Sequence, residues 1–229
     1  MRKHAAALWG TLLFLWSTLL FLCCLGSPAL ATTKGLNQIV TPDVQPRGTL
    51  SISFQQVDPN IANRYEAQLE VGLTSRLEVA VFQGFSPDEQ IFNAEYGIVQ
   101  REDVLLSAGF ANYSTKGTAP QPYLEGGYLK GNTYLMAGII RVGVETSGVG
   151  GAIVSNHETQ SILGAAYHIT PRTLLQLDYQ SGRGNFATAG FTYNITPQLQ
   201  INPSAYLSNA SPHKTYGYVV LTWNITAFK

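Results

Sequence analysis

From Gly48 onward the chain keeps switching between short two-faced segments and tight polar turns. Arg64-Tyr65-Glu66-Ala67-Gln68-Leu69-Glu70-Val71 shows the pattern most plainly, with apolar residues at every second position and charged or amide residues between them. Side chains of a strand alternate faces, so such a segment requires one apolar surface and one wet surface. Many such segments in series point to an all-β fold. The closed form with lipid outside and a polar lumen inside satisfies every backbone hydrogen bond within a membrane.

The spacing predicts strands over Gly48–Val57, Arg64–Leu73, Leu77–Phe85, Phe92–Val99, Val104–Tyr113, Tyr123–Lys130, Thr133–Val142, Gln160–Ile169, Thr173–Gln180, Phe186–Ile195, Leu199–Ser208 and Tyr216–Ile225. That is a single antiparallel transmembrane barrel of about 12 strands, or ten if the Gly-rich Gly143–Glu158 stretch or a terminal segment fails to pair. Gly131-Asn132 is the clearest two-residue hairpin signal. Thr74-Ser75-Arg76, Gln100–Asp103, Thr170-Pro171-Arg172 and Thr196-Pro197-Gln198 are also tight turns. The intervening connections read as longer: Asp58–Ala62, Ser86–Gln90, Ser114–Gln121, Gly143–Glu158, Ser181–Asn185 and Asn209–Lys214. Short turns on one rim and longer loops on the other is the asymmetry of membrane barrels. A soluble secreted β-sandwich would alternate as well; strand number and turn asymmetry favour the barrel.

Composition agrees. Charged residues make up 12% of the 229, about half the share usual for a soluble domain. A mean hydropathy near zero fits alternating strands and not a bundle of apolar helices.

The first residues read as an export leader. Arg2 and Lys3 precede an apolar run from Ala5 to Leu25; Gly26-Ser27-Pro28 breaks it, and Ala29-Leu30-Ala31 supplies a small-x-small site, so residues 1–31 are expected to be cleaved off. The run is also long enough for an uncleaved anchor; the cleavage site behind a helix breaker favours removal. Residues 32–47 read as an irregular lead-in and 48–229 as the barrel. Cys23 and Cys24 both lie in the leader, so no disulfide or thiolate metal site is expected in the mature chain. Without Arg2 and Lys3, twelve basic residues face 14 acidic ones, a formal charge of −2. No cluster of Lys and Arg exists to bind nucleic acid.

Tyr167-His168-Ile169-Thr170-Pro171 and Tyr193-Asn194-Ile195-Thr196-Pro197 repeat one turn motif, with each Tyr expected at the membrane boundary. These turns, the leader, the strand rhythm and the aromatic closing strand from Tyr216 to Phe228 together resemble a bacterial outer-membrane β-barrel protein, porin-like and small. The resemblance covers nearly the whole chain and implies residence in the outer membrane and assembly by its insertion machinery, which reads a terminal aromatic residue. Lys229 after Phe228 departs from that pattern. Gly35-Leu36, Thr41-Pro42 and Gly48-Thr49-Leu50 also resemble barrels associated with exopolysaccharide export, through a match too short to carry function.

With apolar faces outward, Tyr65, Leu69, Val71, Leu177, Phe191, Val219, Leu221 and Trp223 are expected to meet lipid. Glu66, Glu70, Glu78, Glu95, Glu125 and Asp178 then line the lumen, since charge facing lipid is costly. Arg141 is placed with them, and Arg64 and His168 are candidates to join, although both faces of Thr133–Val142 are apolar enough to leave its parity open. Either a mildly cation-favouring pore for small solutes or polysaccharide, or a closed structural barrel filled by these charges and acting through its loops, fits that set. His157, His168 and His213 lack metal-ligand spacing, no Gly-x-Ser-x-Gly elbow occurs, and Ser147–Gly151 lacks the residues of a phosphate loop. Neither an enzyme nor a metal or other cofactor is expected. The Asn-x-Ser/Thr triplets at Asn112, Asn194, Asn209 and Asn224 are those chance supplies in a chain rich in Asn and Thr.

Overall fold

A computed structural model describes residues 35–147 and 153–228, without side-chain detail for 144–147 and 153–156. The leader expected over residues 1–31 lies outside the described residues. Twelve antiparallel strands close into one barrel: β1 (Thr49–Val57), β2 (Tyr65–Gly72), β3 (Leu77–Phe85), β4 (Asp88–Gln100), β5 (Val104–Ser114), β6 (Gln121–Lys130), β7 (Thr133–Ser147), β8 (Ile153–Thr170), β9 (Thr173–Gln180), β10 (Phe186–Asn194), β11 (Leu199–Ser208) and β12 (Thr215–Thr226). Each pairs with its sequence neighbours, and β1 closes on β12 from Thr49↔Thr226 to Val57↔Tyr218. No helix occurs among the described residues.

Twelve strands were expected, and β3, β9 and β11 have the expected bounds. Two interruptions are shorter than expected by three residues or more. Asp88, Glu89 and Gln90, read as loop, belong to β4 and pair with Phe85, Gly84 and Gln83. The Gly143–Glu158 stretch is mostly hairpin: β7 and β8 stay paired to Ser147↔Ile153. The cause is the same in both places. A hairpin that continues beyond the lipid-facing band can stay paired through its backbone ladder without the apolar alternation that marks a lipid face.

The connections at 73–76, 101–103, 131–132, 171–172 and 195–198 form a short-turn rim, where β1 also begins and β12 ends. At Gly131 the backbone takes φ 58°, which glycine adopts without a Cβ penalty. The opposite rim carries 58–64, 86–87, 115–120, 181–185 and 209–214, and there β7 ends and β8 begins.

The outer surface is apolar and zoned. Tyr96, Tyr128, Tyr167, Tyr193 and Trp223 are exposed toward the short-turn rim, and Phe54, Tyr65, Phe85, Tyr113 and Tyr179 toward the other. Between them the exposed side chains are mostly aliphatic, among them Leu69, Leu124, Ile139, Leu163, Leu177 and Leu221. Two aromatic girdles around an aliphatic band is the outer face of a transmembrane barrel.

Candidate functional site

The lumen is not lined by strand residues alone. Residues 35–47, a segment without strand periodicity, run inside it. Leu36, Asn37, Ile39, Thr41 and Gln45 are all buried. Leu36 and Ile39 join inward residues of β5 to β8 (Ala111, Tyr123, Met136, Ile140, Val142, Ile162, Ala166) in one apolar cluster, with Val40 against it. The polar side of the segment turns to the remaining wall. Asp178 Oδ2 accepts from the backbone N–H of Asn37 at 2.6 Å and of Gln38 at 3.1 Å. Asn37 Nδ2 donates to Thr188 Oγ1 at 3.0 Å and the Gln176 carbonyl at 3.2 Å, and the Tyr206 hydroxyl donates to the Asn37 carbonyl.

A second anchor lies nearer the short-turn rim. Gln45 N–H donates to Glu78 Oε2 at 2.7 Å, and Gln45 Nε2 donates to the Thr49 and Glu70 carbonyls at 2.9 and 3.1 Å. Gln100 accepts from Val44 N–H at 3.2 Å and donates to the Pro42 carbonyl at 2.7 Å. These bonds satisfy backbone groups that a buried irregular segment otherwise leaves unpaired. The wall is shaped to receive it: a Cβ at inward-facing Gly127 would lie 2.9 Å from Pro42 Cγ, and one at Gly164, Gly190 or Gly72 would collide with Leu36, Asn37 or Pro46.

The segment divides the lumen. On the long-connection side lies a cavity of about 1070 Å³, floored by Gly35–Val40 and walled by Glu66, Glu70, Glu78 and Glu95 with Gln55, Gln68, Asn93 and Asn112. Phe82, Tyr123, Tyr206 and Tyr218 add aromatic surface. On the other side is a cavity of about 100 Å³ lined by Asp43, Tyr134, His168, Arg172 and Gln200. Gly35 and Leu36 line both.

The acidic side chains are held by neighbours. Gln55 donates to Glu66 and accepts from Gln68 Nε2 at 2.6 Å and from the Tyr218 hydroxyl at 3.0 Å. The Tyr123 hydroxyl donates to Glu95 Oε2 at 2.8 Å, and Ser107 Oγ to Glu125 Oε1 at 3.4 Å. Glu78 and Glu95 are opposite each other across the β3–β4 ladder. At Asn112 the backbone takes φ 59°, and its N–H turns to Asn93 Oδ1 at 2.8 Å beside a register shift in β4.

Of the carboxylates expected in the lumen, Glu66, Glu78, Glu95, Glu125 and Asp178 are buried; Glu70 is half-buried at the cavity wall. Arg141 is a correction: it is exposed, between buried Ile140 and Val142, so it points out of the barrel and is no partner for these groups. Arg64 is likewise exposed, its guanidinium 5.3 Å from the centre of the Tyr65 ring. His168 reaches the smaller cavity. Tyr65, Leu69, Leu177, Phe191, Leu221 and Trp223 are exposed, with Val71 and Val219 half-buried beside them. Among the described residues lining the two cavities, the basic side chains are Arg183 at one rim and His168 and Arg172 toward the other. Among the described residues no group of three or more His, Cys, Asp or Glu could hold a metal ion.

No family model matches this sequence, and no curated protein sequence is similar to it. Solved structures share the fold. A NanC porin superposes with TM-score 0.55 at 12% identity, over 78% of this chain and all of the porin. A KdgM porin, also solved in complex with disordered oligogalacturonate, gives 0.52 at 12% identity over 76% of this chain and 98% of its own. The barrel is thus of the small porin type in architecture.

Proposed function

We propose that the chain serves in the bacterial outer membrane as a porin-type channel for small solutes, with a lumen that favours cations when open. The observation that carries this reading is the acid-walled cavity of about 1070 Å³ inside a barrel belted for lipid. Twelve strands enclose more than the side-chain-filled eight-strand case and less than a sixteen-strand porin. Carboxylates around such a passage raise the local concentration of cations and repel anions. Oligogalacturonate, bound by the KdgM porin, is a chain of acidic sugars; the wall here suits cationic or neutral solutes instead. No catalytic step is assigned to the barrel.

On this reading residues 1–31 are an export leader removed after Ala31, 48–229 form the membrane domain, and the aromatic last strand engages the insertion machinery. The short-turn rim then faces the periplasm and the larger cavity opens outward, as in barrels of this class. The alternative, a closed structural barrel, is favoured by one observation, the buried segment 35–47. Reversal potentials in a KCl gradient, recorded on protein lacking residues 35–45, test the reading: cation selectivity is expected, and anion selectivity overturns it.

A further inference from the structure

We propose that residues 35–47 are a gate: a strap tethered at Gly48 and latched in the lumen at Asp178 and Glu78, whose withdrawal toward the short-turn rim joins the two cavities into one passage. The inference rests on the channel reading and concerns how that channel is regulated.

Four features of the strap support it. First, the barrel closes without it. Every strand already has both neighbours, and the strap's single ladder contact is the Arg47↔Gly72 bridge at its tethered end. Its departure therefore bares no strand edge. Second, it is held at discrete points. The Asn37 and Gln38 N–H groups bind one carboxyl oxygen, Asp178 Oδ2, and the Gln45 N–H another, Glu78 Oε2. Third, its tether is fixed. Gly48 sits at φ 78°, its N–H bonded to the Gly72 carbonyl at 2.8 Å and its carbonyl accepting from Ala227 N–H at 2.7 Å. Motion of the strap thus pivots at the rim where β1 begins. Fourth, the two sides of its socket oppose each other. Water readily solvates Asp178, Glu78, Gln176 and Gln100 once they are vacated, whereas Met136, Ile140 and Ile162 become exposed at a cost. The polar side makes an open state accessible, and the apolar side keeps the closed one favoured.

The test uses planar bilayers and the chain from Thr32 onward, which holds no cysteine, since Cys23 and Cys24 lie upstream. An Asn37→Cys/Gly190→Cys pair ties the strap to β10, where a Cβ at Gly190 would touch Asn37. Asp178→Ala removes one latch, and a third variant lacks residues 35–45. Heat-modifiable migration on gels confirms that each barrel is closed. The parent protein is expected to show rare opening steps. The oxidised pair shows none until a reductant restores them, and Asp178→Ala raises open probability roughly tenfold or more, as loss of the two hydrogen bonds to its Oδ2 implies. Equal conductance of the oxidised and reduced pair overturns the gate while leaving the channel reading intact. A parent and an Asp178→Ala protein that never open, beside a conducting deletion, make the strap a permanent plug and overturn it equally. A folded deletion variant that does not conduct refutes the channel reading itself. If the deletion does not fold, the redox pair and Asp178→Ala decide the question between them.

Discussion

Leu36→Ala should loosen the strap by an amount the structure sets. The Leu36 side chain is buried in the apolar cluster with Met136 and Ile162, and truncation removes three carbons from that contact. At ~0.8 kcal/mol per buried CH₂ the closed state loses about 2.4 kcal/mol relative to a state with the strap in water. Since ~1.4 kcal/mol is tenfold, the displaced fraction should rise roughly fiftyfold. A thiol introduced as Thr41→Cys, at a buried strap position, reports that fraction through its rate of labelling by a membrane-impermeant maleimide. The rate should rise by the same factor, while the twelve-strand barrel still closes, because every strand keeps both neighbours without the strap. A labelling rate that stays within threefold of the Thr41→Cys parent (roughly 0.6 kcal/mol) would refute the argument.

Gly164→Leu should accelerate the same labelling, since even a Cβ there would lie 2.7 Å from Met136 Cγ and collide with Leu36. Leu177→Arg places a cation on the outer apolar band and should cost roughly 2–4 kcal/mol if at mid-depth, read as a lower yield of heat-modifiable barrel. Arg141→Gln should leave the reversal potential of the strap-deleted channel unchanged because Arg141 faces away from the lumen; a shift would place its charge in the passage.

The sequence was most legible where each strand had one wet and one apolar face. Thr173–Gln180 alternates cleanly, and its bounds were read to the residue. The parity of Thr133–Val142 stayed open for a reason now visible: Ile139 faces out, yet Met136, Ile140 and Val142 face an apolar cluster inside. A strand apolar on both faces loses its period-2 signal, as strands buried on both sides do. The strap escaped notice because irregular segments carry no periodicity at all. Its traces lay elsewhere, in inward positions that hold glycine at 72, 127, 164 and 190 and so leave room for a filler. A wall apolar on its inner face also demands an apolar partner, and Leu36, Ile39 and Val40 of the lead-in supply one.

The most direct test is single-channel conductance of the chain from Thr32 onward beside the same chain lacking residues 35–45. The account predicts a mostly silent parent and steady, cation-selective steps from the deleted form. Equal conductance from both, or silence from a properly folded deletion, contradicts it.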